Sequence, residues 1–470
     1  LTIPLPSNFI ENTTRVFGAP FSEALCANLD LGKGDRSIRM NPYKVKDSLS
    51  LPRIPWCSEG YSVSVEKTFA YDPAFHSGLY YVQEAASMFV LKALQSLSFE
   101  HDGPLLCLDL CAAPGGKSTL LSSWLGQRGT LVSNEIIGSR AEILKENIIK
   151  WGLGNVVVTN NDPAQFTQVG EIFDLVLIDA PCSGEGLFRR DPAARNEWSD
   201  KQVDVNVERQ QTIINQTWQS IKEGGYLIYS TCTFNVKENE EQIAFMKASF
   251  GAEVIDIPLD PLWNIYQHEP QGNYRFFPHL TPGEGFALVV LRKTSTNNDG
   301  KARYKSKARS AIQWDRKFPL HEYIDTEKSG TQCYAANDHL MALTAHQIAC
   351  CQGALNALHI KYAGIDVGEL KQKDFIPAQA LAHTIYLKED AFPVYQCTYE
   401  EAIAFLMRDN FIPSSPTGKG LHLIQYQQAP LGFMKFITAT RTNNYYPAEW
   451  RIRQALDKNN MEKFVLGNLG

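Results

Sequence analysis

Between residues 105 and 291 short apolar runs recur along the chain: Leu105–Leu110, Thr130–Asn134, Val156–Thr159, Phe173–Ile178, Tyr226–Tyr229 and Phe286–Leu291. Each is of strand length and most are nearly continuous in apolar side chains, which is the pattern of a strand covered on both faces rather than on one. Between them, near 117–126, 139–151, 203–222 and 236–249, apolar residues return with helical period. Strands of this kind separated by helices predict an α/β core: a Rossmann-like, doubly wound parallel sheet whose ligands sit at the carboxyl ends of the strands.

The flanks read differently. Residues 1–95 mix helical and extended patterns, with prolines crowded between Pro42 and Pro55, and predict a small α/β accessory region. The core then occupies 96–293. A stretch rich in Lys, Arg, Ser and Asn follows, read as an exposed basic linker over 294–311. From 312 to 470 the pattern predicts short strands at Ala382–Leu387, Leu421–Tyr426 and Gly432–Ile437 with few long helices, hence an α+β or mostly β region.

Composition narrows the class. A chain of 470 residues, 44% of them hydrophobic, has material for several domains and a real core. It contains no apolar run long enough to span a bilayer, and Leu1 to Pro20 carry polar and acidic residues where a secretory leader would need an apolar stretch. A cytoplasmic protein without membrane contact is expected. None of the ten cysteines stands in a Cys-x-x-Cys pair and no His pair follows at zinc spacing, so neither a structural metal nor a disulfide framework is expected.

The net charge of −6 does not by itself suggest a polyanion partner. Its distribution does more: Arg292 to Lys317 carries +7, Phe411 to Gly470 carries +4, and the remainder −17. Cations gathered in two stretches suit phosphate contact, and equally suit a solvated linker and surface.

Candidate chemistry gathers where the strands should end. The first runs into Cys111, Ala112, Ala113, Pro114, Gly115, Gly116 and Lys117 before a helix begins. A glycine turn between strand and helix lets backbone approach a ligand closely. It has the spacing neither of a dinucleotide loop nor of a Walker loop. Glu135, at the end of the second strand, suits a ribose diol. Asn161-Asp162 follows the third strand and can accept from an adenine amino group, and Asp179 ends the fourth. Each acid taken singly reads as well as a helix cap or a surface charge.

Two cysteines complete the set. Cys182 follows Asp179-Ala-Pro, and Cys232 follows Tyr229-Ser-Thr. Asn235 and Glu238 beyond it read as a helix start whose N-terminus would favour a Cys232 thiolate. Such a pair has work in methylating carbon 5 of a cytosine, a poor nucleophile until a thiolate adds to carbon 6. Asp179 would then stabilise the adduct at N3, and the second cysteine would assist proton loss and release. The base must leave its stack to reach the crevice, and Gly184 and Gly186 would leave room for it.

Over about residues 30–293 the chain resembles the Sun/Nop family of RNA cytosine-5 methyltransferases. The matching segments are Asp109-Leu-Cys-Ala-Ala-Pro-Gly-Gly-Lys117, Asp179-Ala-Pro-Cys-Ser-Gly-Glu-Gly186 and Tyr229-Ser-Thr-Cys-Thr233, with Arg36-Ser-Ile-Arg-Met-Asn-Pro42 and Tyr80-Tyr-Val-Gln-Glu-Ala-Ala-Ser-Met88 ahead of them. The resemblance implies S-adenosylmethionine held by 111–117, Glu135, Asp162 and Asp179, with Cys232 as nucleophile and Cys182 in product release. Pro430-Leu-Gly-Phe433 and Asn443-Asn-Tyr-Tyr-Pro447 resemble the bacterial RsmF/YebU branch, which ends in a PUA-like domain. That branch implies 16S rRNA or the 30S particle as partner; a monomer is expected. Tyr445, Tyr446 and Trp450 near Arg441, Arg451 and Arg453 would then grip RNA, unless they are core aromatics beside solvated arginines. Transfer RNA is the alternative substrate, and a non-catalytic RNA-binding assembly factor the alternative class; the intact cysteine pair counts against the latter.

Overall fold

The computed structural model describes residues 3–453 except 33, 35, 64–68, 269–271, 295–312, 337–338, 372–373, 410, 416–417 and 439–440. The expected linker at 294–311 therefore lies almost wholly outside the described residues, as do most of the cations between Arg292 and Lys317.

Two helices, Ser7–Phe17 and Ala19–Asp30, precede an antiparallel sheet of β1 (Arg36–Met40), β2 (Arg53–Ile54), β3 (Cys57–Val63) and β4 (Tyr80–Val82) in the order β2-β3-β1-β4. The central sheet begins with β5 (Leu105–Asp109), β6 (Gly129–Asn134), β7 (Val156–Thr159), β8 (Phe173–Asp179) and β9 (Ile221–Thr231). These five run parallel in the order β9-β8-β5-β6-β7. Every residue of β5 is buried, as a strand covered on both faces requires. Its side chains divide between two cores. Leu105 and Cys107 pack with Phe89, Leu120 and Leu121, whereas Leu106 and Leu108 pack with Ile214, Trp218 and Met246. Each such Leu contributes about 1.5–3 kcal/mol of burial free energy.

The sheet is mixed, not all parallel. Strands β10 (Glu253–Ile255), β11 (Tyr266–His268), β12 (Asn273–Phe276) and β13 (Phe286–Arg292) add an antiparallel flank, with β13 against β9. A buried antiparallel strand reads the same as a parallel one, since neither shows alternation, so the direction of Phe286–Leu291 was invisible to periodicity.

Two helices differ in extent from expectation. The helix expected at 203–222 is Asp200–Trp218, because Gly224 and Gly225 leave the chain extended from Ile221. The one expected at 236–249 is Glu240–Phe250.

Beyond the core, a five-stranded antiparallel sheet contains Thr331–Ala336, His339–Thr344 and Ile365–Lys371, and a four-stranded sheet contains Gly420–Tyr426 and Ala429–Thr438. The strand expected at Ala382–Leu387 is not one. Gln379–His383 is a short helix buried on every side, and a turn follows. A segment with no solvent face has no period to read. The strand Ile360–Ala363 leaves this region and pairs antiparallel with β7, extending the central sheet. No helix among the described residues is long and apolar enough to cross a membrane.

Candidate active site

The parallel strands bring their carboxyl ends to one edge of the sheet. From β5 the chain enters the glycine turn and then the helix Gly116–Leu125. Gly115 has φ +118°, a left-handed backbone that a side chain rarely adopts, which is the local reason for glycine there. The turn is held from several sides. Arg140 Nη2 donates to the Ala113 carbonyl (2.9 Å), Asn147 Nδ2 to the Pro114 carbonyl (2.8 Å), and the Ala112 N–H to the Asn134 carbonyl (2.9 Å). Arg39, buried in β1, donates to Thr119 Oγ1 (2.6 Å) and to Gln83 Oε1 (2.8 Å) and lies over the Trp151 ring. The accessory sheet thus braces the turn through a buried cation.

The acids around the turn differ in environment. Asp109 is fully buried; its Oδ2 accepts from Ser118 Oγ (2.7 Å) and its Oδ1 has no hydrogen-bond partner. Burial pushes its carboxyl up to about 7. Glu135 is also buried, accepts from the Ile137 N–H (2.9 Å) through Oε1, and faces Arg140 across 3.6 Å through Oε2. Asp179 Oδ2 pairs with Lys117 Nζ (2.8 Å), and its Oδ1 accepts from Ser230 Oγ (2.8 Å). Burial alone would lower the Lys117 pKa, but Asp179 and Asp109 outweigh it and hold the ammonium above its ordinary value. Asp162 stands apart: it is exposed, and its Oδ1 accepts from the Ala164 N–H (2.8 Å) to cap Pro163–Gln168. Cys111 is half-buried, and its thiol is raised first by desolvation and then by Asp109.

Cys182 and Cys232 meet with their sulfurs 3.3 Å apart, and the Cys232 N–H donates to Cys182 Sγ (3.4 Å). All ten cysteines are free. The Cys182 thiol is pushed well up, first by its hydrogen bond with Cys232 and then by burial.

The two cysteine loops are tied by acids that the sequence reading did not assign to the site. Glu238 accepts from Ser183 N–H (3.0 Å), Gln210 Nε2 (2.9 Å) and Asn235 Nδ2 (2.6 Å). Glu185 accepts from the Phe234 N–H (2.7 Å) and Trp198 Nε1 (3.0 Å). Both sit inside or beside the cysteine motifs, but nothing in a linear pattern shows that they face each other's loops. Asn235 Oδ1 accepts from the Glu238 N–H (2.9 Å) in a turn, and the helix starts only at Glu240. The helix expected just past Cys232 is thus displaced to Glu240, and the Glu238 carboxylate is engaged by the opposite loop. Gly186 serves backbone rather than base: a Cβ there would lie 2.9 Å from the Cys232 carbonyl oxygen.

The C-terminal aromatics separate. Tyr446 is 1% exposed and packs with Phe405, a core residue. Tyr445 lines a groove with Lys371 and Lys435. Among the described residues no group of three His, Cys, Asp or Glu could hold a metal ion.

Three family models match the chain: 16S rRNA methyltransferase RsmB/F over residues 97–292, the N-terminal domain of 16S rRNA methyltransferase RsmF over 5–85, and the methyltransferase RsmF PUA domain over 392–452. Ribosomal RNA small subunit methyltransferase F of Salmonella heidelberg is 31% identical over 439 residues, covering 88% of this chain and 90% of the relative. Two crystal structures share the fold. NSun6 from Pyrococcus horikoshii has a TM-score of 0.53 at 20% identity over 63% of this chain and 100% of that one. A methyltransferase homolog protein from Pyrococcus horikoshii has a TM-score of 0.52 at 23% identity over 61% and 95%.

Proposed function

The chain belongs to the RsmB/F family of 16S rRNA methyltransferases, as an RsmF-type member, and on that premise we propose that it methylates carbon 5 of a cytosine in 16S rRNA through a covalent bond between Cys232 and carbon 6. The observation that carries the reading is the 3.3 Å sulfur pair standing just beyond Asp179 and Ser230 on adjacent parallel strands.

The residues at the glycine turn fit S-adenosylmethionine. Asp109 Oδ1 is a buried acceptor without a partner, and Glu135 offers a carboxylate at the next strand end. The segment 111–117 and Glu135 would hold the cofactor, with Asp162 and Asp179 at its edges. Bound there, S-adenosylmethionine supplies an electrophilic methyl group.

The chain's own groups do the rest. The Cys232 thiolate forms a bond to carbon 6 and drives electron density toward carbon 5. Asp179 stands to stabilise the adduct at N3, and Lys117, kept charged beside it, answers the negative charge that gathers there. After methylation the carbon-5 proton leaves to a base, the double bond re-forms, and the Cys232–carbon-6 bond breaks. Cys182, still a thiol, donates to the departing sulfur. We assign bracing of the site to 1–95, catalysis to 96–293 and RNA grip to 312–470, joined by 294–311, in a monomer working in the cytoplasm.

Incubation with labelled S-adenosylmethionine and, separately, unmethylated 16S rRNA, 30S particles and transfer RNA tests this. Label recovered as 5-methylcytosine from small-subunit RNA or particles is the expected result. Label in transfer RNA alone would move the substrate. No label anywhere, with cofactor binding measured independently, would favour a non-catalytic assembly factor.

A further inference from the structure

Beside the cysteine pair lies a cleft of about 370 Å³ that the chemistry above does not use. Its walls are Arg36 and Ser37 of β1, Val82 to Ala85 after β4, Gly283 and Glu284, with Phe69 and Arg190. It adjoins the site on two sides. Gln83 packs against Gly116, where an added Cβ would lie 3.7 Å from its amide carbon. Gly285, next to Glu284, packs against Gly186, whose N–H donates to the Cys232 carbonyl (2.9 Å).

The described lining carries two acids, Glu84 and Glu284, and two arginines, Arg36 and Arg190. Glu84 accepts from the N–H groups of Ala86 (2.9 Å), Ser87 (2.7 Å) and Glu284 (3.0 Å). Glu284 pairs with Arg189 (2.7 Å), which also donates to Gly283 O and Asn28 Oδ1. Both acids are therefore satisfied within the protein. Arg190 is exposed and makes no ion pair or hydrogen bond with the described residues, and Arg36 lies over the Phe69 ring at 5.7 Å. Satisfied acids beside an uncommitted guanidinium favour an anionic guest, and the volume is that of a small-ligand pocket.

We infer that this cleft seats the phosphodiester next to the target cytosine, with Arg190 as its contact. The inference rests on the RNA reading above but not on the methyl-transfer chemistry. Such contacts set register rather than sequence preference.

Anisotropy of a labelled single-stranded RNA, titrated with the full chain from about 50 to 200 mM salt, reads the contact directly. Arg190→Gln is expected to weaken binding by about tenfold at low salt and to reduce the salt slope by about one. Arg190→Lys should restore most of the slope, and Arg209→Gln, an exposed arginine outside the cleft, should leave binding unchanged. An unchanged slope in Arg190→Gln, or an equal loss in Arg209→Gln, overturns the assignment. A protein that binds RNA with this pattern yet transfers no methyl group would sink the chemistry and leave the cleft standing.

Discussion

The sulfurs of Cys182 and Cys232, 50 residues apart in sequence, lie 3.3 Å from each other. Strands β8 and β9 are parallel neighbours with Asp179 opposite Ser230. The residues three past one and two past the other are thereby delivered to the same point. The pair is asymmetric, since Cys182 accepts from the Cys232 backbone and is the thiol whose ionisation is suppressed.

Cys232→Ala should abolish transfer while leaving cofactor binding intact. Cys182→Ala should allow the adduct to form and then fail to release it, giving a slow RNA–protein band on a denaturing gel. The opposite pattern would exchange the two roles.

Lys117 and Asp179 should act as one unit. Lys117→Met and Asp179→Asn are each expected to lower the single-turnover rate by roughly 100-fold. The double variant should lose no more than about tenfold beyond either, because each single change already breaks the pair. Multiplicative losses would show the two to be independent.

Asp109 should make stability depend on pH with a definite sign. Its folded pKa, about 7, lies above the ordinary carboxylate range. Between roughly pH 4 and 7 the folded state therefore holds a proton that the unfolded chain has released, and stability falls as pH rises through that window, by at most about 1.4 kcal/mol per unit from this group. Asp109→Asn removes this contribution. Urea unfolding from about pH 5 to pH 8 should show its stability gaining on the native protein up to pH 7 and parallel to it above. A difference independent of pH would refute the assignment.

The C-terminal region should report on the cofactor side of the site. Asn161 Oδ1 accepts from the His359 N–H (2.9 Å) and Asn161 Nδ2 donates to the His359 carbonyl (3.3 Å), while Asn160 Nδ2 donates to the Glu135 carbonyl (2.6 Å). Asn161→Ala removes two partly buried hydrogen bonds, at a cost of about 1–3 kcal/mol. Calorimetry should find a lower melting temperature together with weaker S-adenosylmethionine binding. Loss of stability with unchanged binding would confine Asn161 to docking.

Much of the site was legible in the chain because strands in this class end where ligands bind. The glycine turn, Glu135, Asp179 and both cysteines could be placed at strand ends from apolar runs alone. Asp162 could not be told from a helix cap, and a cap is the role its side chain performs. Arg39 and Glu185 lay within the motifs without being singled out, and Glu238 was read only as part of a helix start. Their partners are 80, 49 and 55 residues away, and separation of that order carries no local signal.

Local pattern thus determined that this protein has an α/β core, where its parallel strands lie, and which residues close them, since burial on both faces and turn geometry are written into neighbouring side chains. Only tertiary structure decided that β13 runs antiparallel, that Ile360–Ala363 completes the central sheet, and that buried Glu238 rather than a helix N-terminus holds the Cys232 loop. Strand direction, sheet membership and the partner of a buried charge arise from contacts between distant segments, and they exist only once the backbone has closed and water has been excluded from between them.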